Sequence, residues 1–372
     1  MQDIERVSRP CVLRIEDCDV GGTIEEIERD LGLTVAAKLS ENENPFGMSP
    51  KAMEAVVAEL PNAFMYPEHS FCELIDALAA ANGVSASMIV VGHGAETLVH
   101  LVPQLFVNPG DEVILADVTY SLYQHATTLM DARSVVVPLR DFRHDLQAMA
   151  EAVTPRTKLV WLCNPNNPTG TILTRRETQA FLDTVPSDVV VVIDQAYREF
   201  VDDPDYADGV ELLKQGHENV IVLRTFSKVH GMAGLRLGYC IASSDVCRYL
   251  NRLREPFNVN RLAIVASQAS LADHDFIERS LENNRLGRDY LTKQLSRLGM
   301  EPVASQANFV LVDTKRDAET LYERLLARGV LVRCASDWGL DTFLRITVGR
   351  PEENELAVAA LEAESSAMGA LA

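Results

Sequence analysis

The run Val189-Val190-Val191-Val192-Ile193, closed by Asp194, leaves few folds open. Aliphatic residues with no polar alternation must be buried on both faces of a strand. Similar short apolar runs recur at Met88–Val91, Glu112–Ala116, Ser134–Pro138, Leu159–Cys163 and Val220–Leu223. Helical patterns stand among them, one running from Gly94 to about Phe106. Doubly buried strands interleaved with helices predict an α/β fold, with a mostly parallel central sheet and helices on both faces.

The ends of the chain read differently. Thr23–Leu31 has the pattern of a short helix, and Ser49-Pro50 caps another through about Leu60. Phe71, Leu74, Ile75 and Leu78 share one helix face, closed by Gly83. Helices are expected near Val246–Arg254 and Phe276–Leu298. Beyond them the strands Phe309–Asp313, Val330–Arg333 and Phe343–Val348 alternate with the helices Ala318–Arg328 and Glu352–Ser365. This tail predicts a smaller α+β domain. The 372 residues are more than one small core requires. The expected division is an arm and part of the small domain at 1–45, a large domain at 46–275 and a small domain at 276–372.

Charge narrows the function. The 34 basic residues against 54 acidic ones give a net charge of −20. Such a surface repels nucleic acid and anionic lipid, so neither is an expected partner. The seven cysteines (11, 18, 72, 163, 240, 247 and 334) are scattered without CxxC spacing. Neither a metal site nor a disulfide framework is expected, and a reducing cytoplasm is the simplest location. The N-terminus lacks a basic-then-apolar leader, and no apolar run approaches the roughly 18 residues of a membrane span.

Ligands of open α/β sheets bind beyond the carboxyl ends of the strands. Four polar clusters stand at such places: Gly94-Ala95-Glu96, Asn167 within Asn164–Gly170, Asp194 with Tyr197, and Thr225 with Ser227 and Lys228. A lysine among small and hydroxyl residues at a buried strand end can be desolvated, which lowers its pKa and frees a nucleophilic amine. Ser227-Lys228 alone reads more readily as a surface lysine in a Gly-rich turn. Thr225, Ser227 and Arg236 suit a phosphate. So do the free N–H groups of a helix opening at Gly94-Ala95-Glu96. The pair Gly92 and Gly94 is not a dinucleotide fingerprint, because Thr97 stands where a glycine is required. Asp194 suits a pyridinium nitrogen, and a turn or N-cap aspartate is the less favoured reading of the residue alone. Asn167 and Tyr197 suit a phenolic oxygen. Tyr120 either stacks on a ring or simply packs. Together these groups describe a seat for pyridoxal 5'-phosphate (PLP).

The order Thr225-x-Ser227-Lys228, then Gly231-x-x-Gly234-x-Arg236-x-Gly238, resembles the lysine motif of fold-type-I PLP-dependent aminotransferases of class I/II. The resemblance spans roughly residues 30–360 and is strongest to the histidinol-phosphate aminotransferases. It also rests on Asn42-Glu43-Asn44-Pro45, Tyr66-Pro67, Thr119-Tyr120-Ser121, Asn164–Gly170, Asp194-x-Ala196-Tyr197 and Leu344–Gly349. It implies a Schiff base at Lys228, which also acts as general base and acid, and Asp194 on the pyridine nitrogen. It implies phosphate contacts from Ala95, Glu96, Thr225, Ser227 and Arg236. Tyr66 would reach the phosphate from a partner subunit, which implies a homodimer with shared sites. Arg345 would clamp a substrate carboxylate and Arg333 a substrate phosphate, with Asn42 and Tyr120 lining the pocket. The substrates implied are histidinol phosphate as amino donor and 2-oxoglutarate as acceptor. An aromatic amino-acid aminotransferase is the alternative, followed by a threonine-phosphate decarboxylase-like enzyme. A non-catalytic PLP-binding regulator would need a DNA-binding domain, and residues 1–35 are too short and too acidic for one. The chain departs from the family pattern at Glu96-Thr97, Gln195, Arg198 and Pro67-Glu68-His69.

Overall fold

The computed structural model describes residues 4–15 and 23–369. Cys18 and the first three residues, on which part of the cysteine and N-terminal readings rests, lie outside them. Among the described residues the strands are β1 (Ala37–Lys38), β2 (Ile89–His93), β3 (Glu112–Ala116), β4 (Arg133–Val137), β5 (Thr157–Cys163), β6 (Val190–Asp194), β7 (Val220–Thr225), β8 (Leu237–Ile241), β9 (Glu301–Pro302), β10 (Phe309–Asp313), β11 (Val330–Leu331), β12 (Arg333–Cys334) and β13 (Phe343–Thr347).

Seven of them form one sheet in the order β2-β8-β7-β6-β5-β3-β4. The pairings β7–β6, β6–β5, β5–β3 and β3–β4 are parallel; β8 runs antiparallel to both of its neighbours. The aliphatic runs of the inner strands are buried on both sides because each face of the sheet carries its own core, whereas the run expected at Ser134–Pro138 forms the edge strand β4 and leaves Val136 exposed. Val191, Ile193, Val220 and Val222 point into one core. Val190, Val192, Ile221 and Leu223 point into the other. All the parallel strands follow the apolar runs. β8 is not among the expected strands, because Gly238 reads as part of a Gly-rich turn. Packing requires that glycine. A Cβ at residue 238 would lie 2.3 Å from the Ala95 backbone nitrogen, so only glycine lets the helix Gly94–Phe106 start against β8.

A second sheet has the order β12-β13-β10-β9 and is antiparallel. The single strand expected at Val330–Arg333 is in fact two. β11 pairs with β1, while β12 pairs with β13, so Val332 marks a change of partner rather than a continuous strand. The parallel pairing Ala37↔Val330 and Lys38↔Leu331 fastens the start of the chain to its last quarter. It supports the division we propose at 1–45, 46–275 and 276–372. The expected helices occur at Ile24–Leu31, Pro50–Glu59, Cys72–Asn82, Ser244–Leu253, His274–Arg297, Ala318–Ala327 and Pro351–Gly369. Thr23 caps the first of these with a reciprocal Glu26 contact.

Candidate active site

The polar clusters meet where β6 and β7 end. Phe226 is buried in one core, which turns Thr225 and Ser227 to the opposite side. The Thr225 hydroxyl donates to Ser227 Oγ at 3.0 Å and accepts from the Ser227 N–H at 3.1 Å. Lys228 Nζ donates to the Glu41 carbonyl at 3.1 Å and lies 5.5 Å from the centroid of the Tyr197 ring. The lysine is part-exposed to a cleft, yet protein surrounds most of its length. That burial, with the Arg345 charge second, lowers its pKa to about 8. Roughly a tenth of such an amine is neutral at pH 7, against well under a thousandth for an ordinary lysine.

Asp194 ends β6 and is buried. Its Oδ2 accepts from the Tyr123 hydroxyl at 2.7 Å and its Oδ1 from the Ala196 N–H at 3.1 Å. Burial raises its pKa, opposed by those two hydrogen bonds and by the Lys228 charge. A buried carboxyl held by neutral donors is suited to a cationic N–H on an incoming ring. The Tyr197 hydroxyl accepts from Asn42 Nδ2 at 3.1 Å. Asn42 is itself fixed, in a left-handed conformation, by Thr347 and Asn308. Asn167 lies in a loop with cis peptide bonds at Asn164-Pro165 and Asn167-Pro168.

Arg345 reaches this loop from β13. Its Nη1 donates to Asn167 Oδ1 at 2.7 Å, and its Nη2 donates to the Ser40 carbonyl. Its Nε is buried without a hydrogen-bond partner, and no carboxylate pairs with it among the described residues. Burial lowers the Arg345 pKa. A desolvated guanidinium with a spare donor is built for an arriving carboxylate.

The anion corner lies beside β8. Gly94 opens its helix at φ +73, and a Cβ there would lie 2.6 Å from Arg236 Nη2. Arg236 also holds a left-handed conformation. Its Nη2 pairs with Glu96 Oε2 at 2.7 Å, while the Tyr120 hydroxyl donates to Glu96 Oε1 at 3.0 Å. The helix N-terminus, two hydroxyls and a guanidinium make a donor set suited to a phosphate, with Arg236 paired to the Glu96 carboxylate. With the depressed lysine and the buried carboxyl, this donor set fits PLP.

Two predicted site residues stand differently. Tyr66 is 79% exposed; its ring stacks on Phe257 at 4.8 Å and its carbonyl accepts from Arg261. None of these contacts joins it to Lys228. Arg333 is the cross-strand partner of Arg345 and pairs with Asp337 at 2.5 Å. Sequence reading missed Tyr123, whose ring stacks on Trp161 at 4.5 Å, and Trp338, whose indole faces Arg345. Before folding, a tyrosine on an amphipathic helix looks like any core residue. The family departures have partners of their own. Gln195 binds Tyr206, Ala207 and Arg224, Arg198 binds Asp208, and Thr97 bonds the His93 carbonyl.

Residues 35–361 match the aminotransferase class I and II family. A histidinol-phosphate aminotransferase from Moorella thermoacetica is 45% identical over 353 residues, covering 95% of this chain and 92% of that protein. One from Brevibacillus brevis is 41% identical over 342 residues, covering 92% and 94%. The crystal structure of histidinol-phosphate aminotransferase from Sinorhizobium meliloti in complex with pyridoxal-5'-phosphate aligns with a TM-score of 0.88 at 28% identity, covering 96% of this chain and 97% of that one.

Proposed function

Since this chain belongs to the class I and II aminotransferases, and is therefore a PLP-dependent transaminase, we propose that it transfers the amino group of histidinol phosphate to 2-oxoglutarate in histidine biosynthesis. The observation that carries this reading is a pair of guanidinium groups, Arg345 and Arg333, directly opposite each other on β13 and β12. Like charges on facing strands are unfavourable unless anions serve both. A dicarboxylate acceptor uses Arg345. A phosphorylated donor that has no carboxylate uses Arg333, released from Asp337. The relatives named above support the same substrates.

PLP, when bound, supplies an electron sink for charge developing at the substrate Cα. Lys228 Nζ would hold the cofactor's carbonyl carbon and, once the substrate amine has displaced it there, would be the free amine that takes and returns the Cα proton. Asp194 would hold the proton on the ring nitrogen. Asn167 and Tyr197 would donate to the ring's phenolic oxygen, and Asn42 orients Tyr197. Gly94, Ala95, Glu96, Thr225, Ser227 and Arg236 would hold the phosphate, the first three through helix N–H groups. Tyr120 would cover the ring and line the pocket.

Arg333→Ala is expected to lower kcat/KM for histidinol phosphate about ten- to a hundredfold more than for phenylalanine or tyrosine, the worth of one charge-assisted contact. Equal losses, or a wild-type preference for an aromatic amino acid, favour an aromatic aminotransferase instead.

The assembly is a cytoplasmic homodimer with shared sites. Tyr66 and Phe64 support this, standing 79% and 85% exposed on a surface with no described bond to Lys228. Among the described residues no helix is long and apolar enough to cross a membrane. Mixing Tyr66→Ala with Lys228→Ala under subunit exchange should restore up to about a quarter of wild-type activity, since half the dimers are hybrids with one intact site. No recovery in verified hybrids would place Tyr66 outside the partner's site.

A further inference from the structure

Trp338 belongs to no motif of the sequence, yet contacts from both sheets close on it. It ends a short turn, Ser336–Trp338, between β12 and β13. The Arg345 guanidinium carbon lies 5.6 Å from its ring centroid and that of Arg333 lies 5.9 Å away. One indole face system thus serves two cations that strand pairing sets opposite each other. Its Nε1 donates to the Thr119 carbonyl at 3.0 Å, across to the loop after β3. From Thr119 the bonds continue. The Thr119 hydroxyl donates to Asn166 Oδ1 at 2.8 Å, and the next residue, Asn167, accepts from Arg345 at 2.7 Å.

These contacts form a closed circuit: Trp338, Thr119, Asn166, Asn167, Arg345 and Trp338 again. We infer that Trp338 is the positioning residue for the anion end of the substrate. It sets the height of both guanidinium groups and ties them to the loop that carries Asn167. The inference rests on the aminotransferase reading for Arg345 and on the phosphate reading for Arg333. At Arg345, with which no carboxylate pairs among the described residues, the ring supplies attraction without a competing anion; Arg333 is held as well by Asp337 of the same turn. The residue acts through the arginines, so it should govern substrate binding more than the proton transfer at Lys228.

The test uses holoenzyme. Trp338→Leu should raise KM for glutamate and 2-oxoglutarate about five- to thirtyfold, the range of a partly desolvated cation–π contact, with kcat within about threefold. Trp338→Phe keeps an aromatic face and should stay within about threefold of wild type in KM. The glutamate arm stands even if histidinol phosphate proves not to be a substrate, so failure of that assignment is separable from failure of this one. Fluorescence gives a second measurement, independent of how well the leucine variant folds. The chain has only two tryptophans, and Trp161 is fully buried. 2-Oxoglutarate should change the emission of wild-type holoenzyme, and Trp338→Phe should lack that change. Unchanged KM in a folded Trp338→Leu, a loss confined to kcat, or the same emission change in Trp338→Phe would each overturn the proposal.

Discussion

Lys228→Ala is expected to lower kcat by at least about a thousandfold, because the substitution removes the amine proposed both to hold the cofactor and to move the Cα proton. Cofactor binding is expected to persist, since Arg236, Thr225, Ser227 and Asp194 are untouched. Borohydride reduction of the wild type followed by peptide mapping should place the cofactor on Lys228. A label on another lysine, or none, removes Lys228 from its assigned role. The lowered pKa adds a pH signature. With a folded value of about 8 against an ordinary 10.5, the apoprotein holds fewer protons at this site than the unfolded chain between those values. The lysine therefore opposes folding while protonated, and its penalty is relieved as pH rises through that window. The rate of PLP uptake should likewise climb with pH through about 8, following the neutral amine. A flat profile from pH 7 to 9 would show that the amine is not desolvated as its surroundings require.

Asp194→Asn should cost about a hundred- to a thousandfold in kcat, comparable with removing one preorganised electrostatic group from a buried site. The shape is retained, but the amide carries no charge to hold a proton on the ring nitrogen. The variant should nevertheless fold at least as well as wild type. The carboxyl is buried, its pKa is raised by that burial, and an amide can keep the Ala196 N–H on its oxygen while its NH2 donates to the Tyr123 hydroxyl. Comparing kcat with the melting temperature of the apoprotein separates the two effects. A kcat within tenfold of wild type would show that the charge is dispensable. A matching collapse of both would show that Asp194 is a structural residue. Tyr123→Phe, which removes one neutral donor, should have a smaller effect than either.

Several of these residues are legible from local pattern because burial on two faces leaves a trace in the chain. Val189–Ile193 and Val220–Leu223 are unbroken aliphatic runs, and polar residues close behind them, Asp194 after the first and Thr225, Ser227 and Lys228 after the second, stand at the strand ends where ligands of open sheets bind. The small-domain strand Phe309–Asp313 is equally plain. Departures from a simple pattern hide the others. β8 carries a glycine that serves the helix next to it, and the break at Val332 exists only because β11 and β12 have different partners.

What the chain by itself determined is the set of doubly buried strands, the turns that end them, and the lysine and aspartate placed there. Periodicity and composition report how each residue is solvated, and strand-end chemistry follows from that. What only the tertiary structure decided is which groups meet. Asn42 holds Tyr197 from 155 residues away, Arg345 holds Asn167 from 178 away, and Trp338 reaches Thr119 across 219. A hydrogen bond over such a separation depends on how the two sheets are set against each other. No local preference of either residue encodes that placement, because the same side chain is equally content to bond with water until the packing of both cores excludes it.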